Sequence, residues 1–122
     1  MRALIIEDEP HIAAMIEREL AGLGYGFIDL AATQADAVDA AERHCPDLIT
    51  ADDRLIERSG ILAVEAICRR RIIPVVYLLG DPDLPDNLLP YAYLASKPFT
   101  MEALHSAIAA AVVQAREHAV LG

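Results

Sequence analysis

The stretch Ala3-Leu4-Ile5-Ile6-Glu7-Asp8-Glu9-Pro10 decides how the rest of the chain reads. Four apolar residues in a row, with no polar alternation, predict a short strand covered on both faces, as in a parallel sheet. The run ends at three acids, and Pro10 fits a first helical turn, where its missing N–H costs nothing. Ile12, Ile16, Leu20 and Leu23 then recur at helical spacing until Gly22 and Gly24 stop the helix.

Working outward, the alternation continues. Tyr25–Ala31 predicts a second strand, weakened by Gly26 and Asp29 and therefore suited to a sheet edge. Thr33-Gln34-Ala35-Asp36 is a capping-box-like start for a helix running to about His44. Pro46-Asp47 leads into a strand at 48–51. Ser59 caps a helix of about 60–70, whose Arg69-Arg70-Arg71 end suits the helix C-terminus. Strands at 74–79 and 91–95 follow. Thr100 caps a last helix with Leu104, Ile108, Ala111, Val112 and Ala115 on one face. Strands and helices joined by short connections predict a parallel α/β sheet. One stretch breaks the rhythm. Gly80 to Pro90 holds three prolines, which leave room for little more than one helical turn, so a fourth crossover helix is expected to be stunted or absent.

At 122 residues and 55% apolar, the chain is expected to be one domain, residues 1–122, with a real core. Ten basic against nineteen acidic residues give a net charge of −9, which argues against autonomous nucleic-acid binding. No apolar run approaches the roughly 18 residues needed to span a bilayer. The N-terminus runs directly into a strand without signal-peptide architecture, so a cytoplasmic location is expected. Cys45 and Cys68 lack metal-ligand spacing and read as free buried thiols. His11, His44, His105 and His118 likewise show no ligand spacing and read as surface residues.

Three signals fall where predicted strands end: Glu7-Asp8, Asp52 and Lys97-Pro98. In an open parallel sheet, ligands bind outside the carboxyl ends of the strands, where strand order reverses. Clustered carboxylates repel, by about 4 kcal/mol per pair at ~4 Å and an effective dielectric near 20. They persist by retaining protons or by binding a hard cation, and oxygen ligands with room for water suit Mg²⁺. Such a cation also neutralises a transferring phosphoryl group. A carboxylate can itself accept that group as an aspartyl phosphate, and Lys97 would hold a phosphoryl oxygen. Plainer readings stand beside this. Glu7-Asp8 could simply cap the first helix, Asp52-Asp53 could be a turn with Asp53 as a loop residue, and Lys97 could be a surface lysine. Ala107, Ala110, Ala111 and Val113 could form a partner-binding face, although alanine is also the best helix former.

Taken together, these residues resemble the receiver domain of bacterial two-component response regulators over nearly the whole chain. Residues 3–10 resemble its first strand and acidic pair, and Pro46 to Asp52 its phosphoacceptor strand. Gly60, eight residues beyond Asp52, falls where the family starts its third helix with glycine, and Lys97-Pro98-Phe99 matches its lysine motif. The resemblance implies a doubly wound, flavodoxin-like parallel sheet of five strands in the order 2-1-3-4-5. It implies Asp52 as phosphoacceptor and Lys97 as its partner. Mg²⁺ would be held by Asp8 directly, Glu7 largely through water, Asp52, and the backbone carbonyl of Arg54. The phosphoryl group would come from a histidine kinase or histidine phosphotransfer protein. Such a domain catalyses only its own phosphorylation and dephosphorylation, and is not otherwise an enzyme. If no output domain follows residue 122, the signal is expected to pass by contact to an unknown downstream protein; if the chain is a fragment, an effector domain could lie beyond either end. A second copy of the chain, as a homodimer, is a further candidate partner.

Two positions depart from the family pattern. The hydroxyl residue usual at the end of the fourth strand is Leu79 here, followed by Gly80. The aromatic residue usual three positions before the lysine is Leu94, with Tyr93 expected on the opposite side of the strand. The first helix and compressed fourth crossover are similar to the receivers of general-stress-response regulators, which act on an anti-sigma factor. Leu79 and Leu94 also support an alternative, a pseudo-receiver that binds partners without phosphorylation. A Mg²⁺-dependent phosphohydrolase would usually place a second acid two residues beyond its nucleophile, and position 54 is arginine.

Overall fold

In the computed structural model, which describes residues 1–53, 55, 59–80 and 84–121, the first strand is covered on both sides. β1 (Arg2–Ile6) sends Ala3 and Ile5 into one core and Leu4 and Ile6 into another. That division explains its unbroken apolar run, because side chains alternate across a strand. The other elements are α1 (Pro10–Gly22), β2 (Phe27–Ala31), α2 (Gln34–Arg43), β3 (Leu48–Asp52), α3 (Ser59–Ile67), β4 (Val75–Leu79), β5 (Tyr93–Ser96) and α4 (Met101–Leu121). The strands form one parallel sheet in the order β2-β1-β3-β4-β5. Ile16 and Leu20 of α1 pack with Leu104, Ala107, Ile108 and Ala111 of α4 on one face of the sheet. Ala37, Ala40 and Ala41 of α2 pack with Ile61, Ala63 and Val64 of α3 on the other. This is the doubly wound architecture expected.

β2 lies at the edge as anticipated, with Phe27 and Leu30 exposed. β2 begins at Phe27 rather than Tyr25, and two further boundaries and two assignments differ from expectation. α3 ends at Ile67, not near residue 70, so Arg69–Arg71 follow the helix in a turn closed by Arg71 N–H on the Cys68 carbonyl. The chain must turn there to bring buried Ile73 and Pro74 into β4, and proline disfavours helix just before it. β5 begins at Tyr93, because Ala92 N–H closes a turn on Leu89 and the Tyr91 ring lies against His118, 4.8 Å between centroids. Cys68 is buried, but Cys45 is exposed in the α2–β3 turn, so only one thiol is a core residue. Ala107 and Ala111 are consumed by the core under α4 and cannot belong to a partner face, whereas Val113 is exposed. His11, His44 and His105 are exposed, and His118 is half-buried against Tyr91.

The crossover from β4 to β5 contains no helix among its described residues, as its prolines predicted. Leu88 and Leu89 pack against the core on the α2–α3 side, and Leu89 N–H donates to the Tyr77 hydroxyl at 3.3 Å. Among the described residues, no helix is long and apolar enough to cross a membrane.

Candidate functional site

Strand order reverses between β1 and β3. Ile6 pairs in register with Ala51, so Glu7 and Asp8 leave the sheet directly beside Asp52, the last residue of β3. One carboxylate oxygen from each of Glu7, Asp8 and Asp52 lies within 4.8 Å of the others. Glu7 and Asp52 are buried and Asp8 is exposed. From the other side, Lys97 Nζ donates to Asp52 Oδ1 at 2.5 Å. Lys97 is placed by β5, its backbone N–H donating to the Leu79 carbonyl at 2.9 Å, and its peptide bond to Pro98 is cis.

Capping falls to a residue that sequence reasoning passed over. Glu9 is the N-cap of α1, accepting from His11 N–H at 3.0 Å and Ile12 N–H at 2.9 Å. With Glu9 satisfying those orphan donors, Glu7 and Asp8 are left to face Asp52, and the plainer reading of them as the caps is excluded. Gly60 has an equally local reason. A Cβ there would overlap the Asp52 backbone carbonyl oxygen and come within 3.4 Å of Leu55 Cδ1, so only glycine lets α3 start this close to Asp52.

Glu7 Oε2 accepts Glu9 N–H at 3.1 Å, while Oε1 is buried with no partner among the described residues. Burial, and next the facing Asp52 carboxylate, push the Glu7 carboxyl up to about 8; the Glu9 N–H and Lys97 oppose this only in part. Glu7 therefore retains a proton at neutral pH, which relieves the repulsion within the cluster. A hard divalent cation would relieve it in the same way. The donors are all oxygens, one buried acceptor lacks a partner, and Asp8 opens the site to water. These residues fit Mg²⁺, and Glu7, Asp8 and Asp52 could hold it. The Arg54 carbonyl expected to join them lies outside the described residues.

The description of response regulator receiver domains matches residues 3–109. The chain belongs to that family. Among curated proteins it is 37% identical to the transcriptional regulatory protein PdtaR of Mycobacterium tuberculosis over 121 residues, 95% of this chain and 58% of PdtaR. Among solved structures, the receiver domain of PhyR from Erythrobacter litoralis matches with a TM-score of 0.75 and 33% identity, covering 92% of this chain and 89% of that one. A PhyR variant from Bartonella quintana, named an anti-anti-sigma factor, matches with a TM-score of 0.73 and 30% identity over 96% of this chain and 50% of that one. The chain thus spans about half the length of PdtaR and of the Bartonella PhyR.

Within this receiver domain, the two departures have clear structural places. Leu79 closes β4 at 8% exposure with its side chain in the α2–α3 core, so it offers no donor to the site. Leu94 is 40% exposed, while Tyr93 packs on the opposite, α1–α4 side, as strand alternation required. Asp53, expected to be a loop residue, follows β3 in a turn, but its side chain is buried and both carboxylate oxygens accept Gly80 N–H, at 3.1 and 3.3 Å. The Asp52-Asp53 pair was visible in the sequence; a partner 27 positions away on the next strand was not.

Proposed function

We propose that this receiver domain accepts a phosphoryl group on Asp52 from a histidine kinase or histidine phosphotransfer protein and signals by protein contact. The observation that carries the reading is the buried Asp52 carboxylate held by Lys97 at 2.5 Å beside Glu7 and Asp8. An Asp52 oxygen attacks phosphorus, the P–N bond of the donor breaks, and Lys97 shifts its charge from the carboxylate to the phosphoryl oxygens. Glu7, Asp8 and Asp52 would hold Mg²⁺, which supplies positive charge to the group in transfer. The domain occupies residues 1–122 and acts on no substrate besides its own Asp52. Its donors imply the cytoplasm. An anti-sigma-type protein is the downstream class that the likeness to PhyR brings forward, and a homodimer is a second mode of contact.

The test is intact-protein mass after incubation with Mg²⁺ and a small phosphodonor, with Asp52→Asn as control. A single metal-dependent phosphoryl adduct that vanishes in Asp52→Asn is the expected result. Leu79 and Leu94 favour a second reading, a pseudo-receiver that binds partners without phosphorylation. Absence of any adduct, with the small donor and with a broad-specificity histidine kinase alike, would establish that one.

A further inference from the structure

Asp53 has no part in the reading above, and its environment is unusual. Its side chain is 5% exposed and, among the described residues, accepts from one donor only, the Gly80 N–H. A buried carboxylate with so little compensation is costly to keep unless it does something the fold needs. Its backbone N–H donates to the Leu78 carbonyl at 3.2 Å, so the turn after β3 is laced to the end of β4 through both main chain and side chain.

Gly80 is where the chain leaves β4 for the crossover to β5. The far end of that crossover is held by Leu89 N–H on the Tyr77 hydroxyl, so Asp53 and Tyr77 each hold one end of it to the sheet. Gly80 and Lys97 also line the same hollow, of about 390 Å³, with Ile12, Met15, Pro98 and Phe99. Leu79 has no hydroxyl and is lodged in the core. The donor that the end of β4 can present to a group beside Lys97 is therefore the Gly80 N–H, and Asp53 already holds it.

We propose that Asp53 is a positioning residue that competes with a phosphoryl group on Asp52 for the Gly80 N–H and so sets where the chain leaves β4 at Gly80. The proposal rests on phosphorylation at Asp52. A phosphoryl group offers three acceptor oxygens and about −1.5 to −2 charge, more than a carboxylate, and it brings like charge beside Asp53. Before phosphorylation Gly80 is bound to Asp53. Afterwards the N–H turns to the phosphoryl oxygen, and Gly80 is released from the β3 turn.

Nuclear magnetic resonance on the isotopically labelled full chain with Mg²⁺ tests this, before and after treatment with a small phosphodonor, in wild type, Asp53→Leu and Asp53→Asn. In wild type, phosphorylation should move the Gly80 amide and Asp53 carboxyl signals together. In unphosphorylated Asp53→Leu, exchange protection of the Gly80 amide should fall by about 10- to 100-fold, and the signals of residues 84–89 should sit where phosphorylated wild type has them. Asp53→Asn keeps an oxygen acceptor and should keep Gly80 protected. A wild-type adduct that leaves Asp53 and Gly80 unmoved overturns the proposal alone. So does an Asp53→Leu loop that matches unphosphorylated wild type. No wild-type adduct overturns the phosphorylation reading and the proposal with it, and the mass of the sample separates these cases. If Asp53→Leu does not fold, the wild-type and Asp53→Asn spectra decide.

Discussion

The centre and the margin of this sheet are built to different tolerances. β1 and β3 each have a hydrogen-bonded strand on both sides, so Ile6 is locked beside Ala51 and Asp52 beside Leu78. The residues emerging from that centre are Glu7, Asp8 and Asp52, the three carboxylates of the site. β5 has one neighbour, and the crossover that reaches it is tied by Gly80 to Asp53 and by Leu89 to Tyr77. Of the departures from the family pattern, Leu94 lies on β5, Leu79 closes β4 where the crossover begins, and the described residues of that crossover hold no helix. The lesson is physical. The three carboxylates emerge where ladders constrain both sides of a strand, while Lys97 reaches them from the end of β5, which is laddered on one side.

The sharpest way to probe the centre is through pH. Glu7 holds its proton up to about 8 when folded, against 4.5 as a free side chain. Between those values the folded state binds more protons than the unfolded, so stability without Mg²⁺ should fall as pH rises through that window. The fall should be on the order of a few kcal/mol, read by denaturant unfolding at about pH 5 and about pH 8.5. Mg²⁺ displaces the proton, so it should bind more tightly and stabilise more at the upper end. Glu7→Gln should flatten the profile; a profile in the wild type already flat would break the picture of a proton-holding cluster.

Gly60→Ala attacks the same centre sterically. The new methyl would overlap the Asp52 carbonyl oxygen, and α3 must move away from β3. A loss of about 1–3 kcal/mol is expected by thermal or denaturant unfolding, together with slower phosphorylation as Asp52 shifts from Lys97. Tyr77→Phe is the matching change where the crossover is tied to the sheet. It removes the acceptor of Leu89 N–H and should cost about 1 kcal/mol. Faster amide exchange should be confined to the crossover, and Mg²⁺ affinity, measured by titration calorimetry, should not change. An equal loss of metal affinity in both variants would erase the distinction between centre and margin.

By itself the sequence determined the alternation of strands and helices, the cover on both faces of the sheet, the lack of a helix among the described residues of the last crossover and the strand-end position of each acid. It could do so because hydrophobic period, proline and capping residues act over a few neighbouring positions. The acidic pair, Asp52, Gly60 and Lys97 were legible for the same reason, since each marks a strand or helix end. Tertiary structure alone decided how these ends combine. Which of three consecutive acids caps α1 depended on geometry, and Glu9 took the role that frees Glu7 and Asp8. Arg69–Arg71 fell beyond α3 because Ile73 and Pro74 had to enter β4, and Cys45 stayed in solvent while Cys68 was covered. Asp53 gained its partner only when β3 and β4 lay side by side. Contacts between residues far apart in sequence carry no local period, so they are settled by packing and the sheet's register.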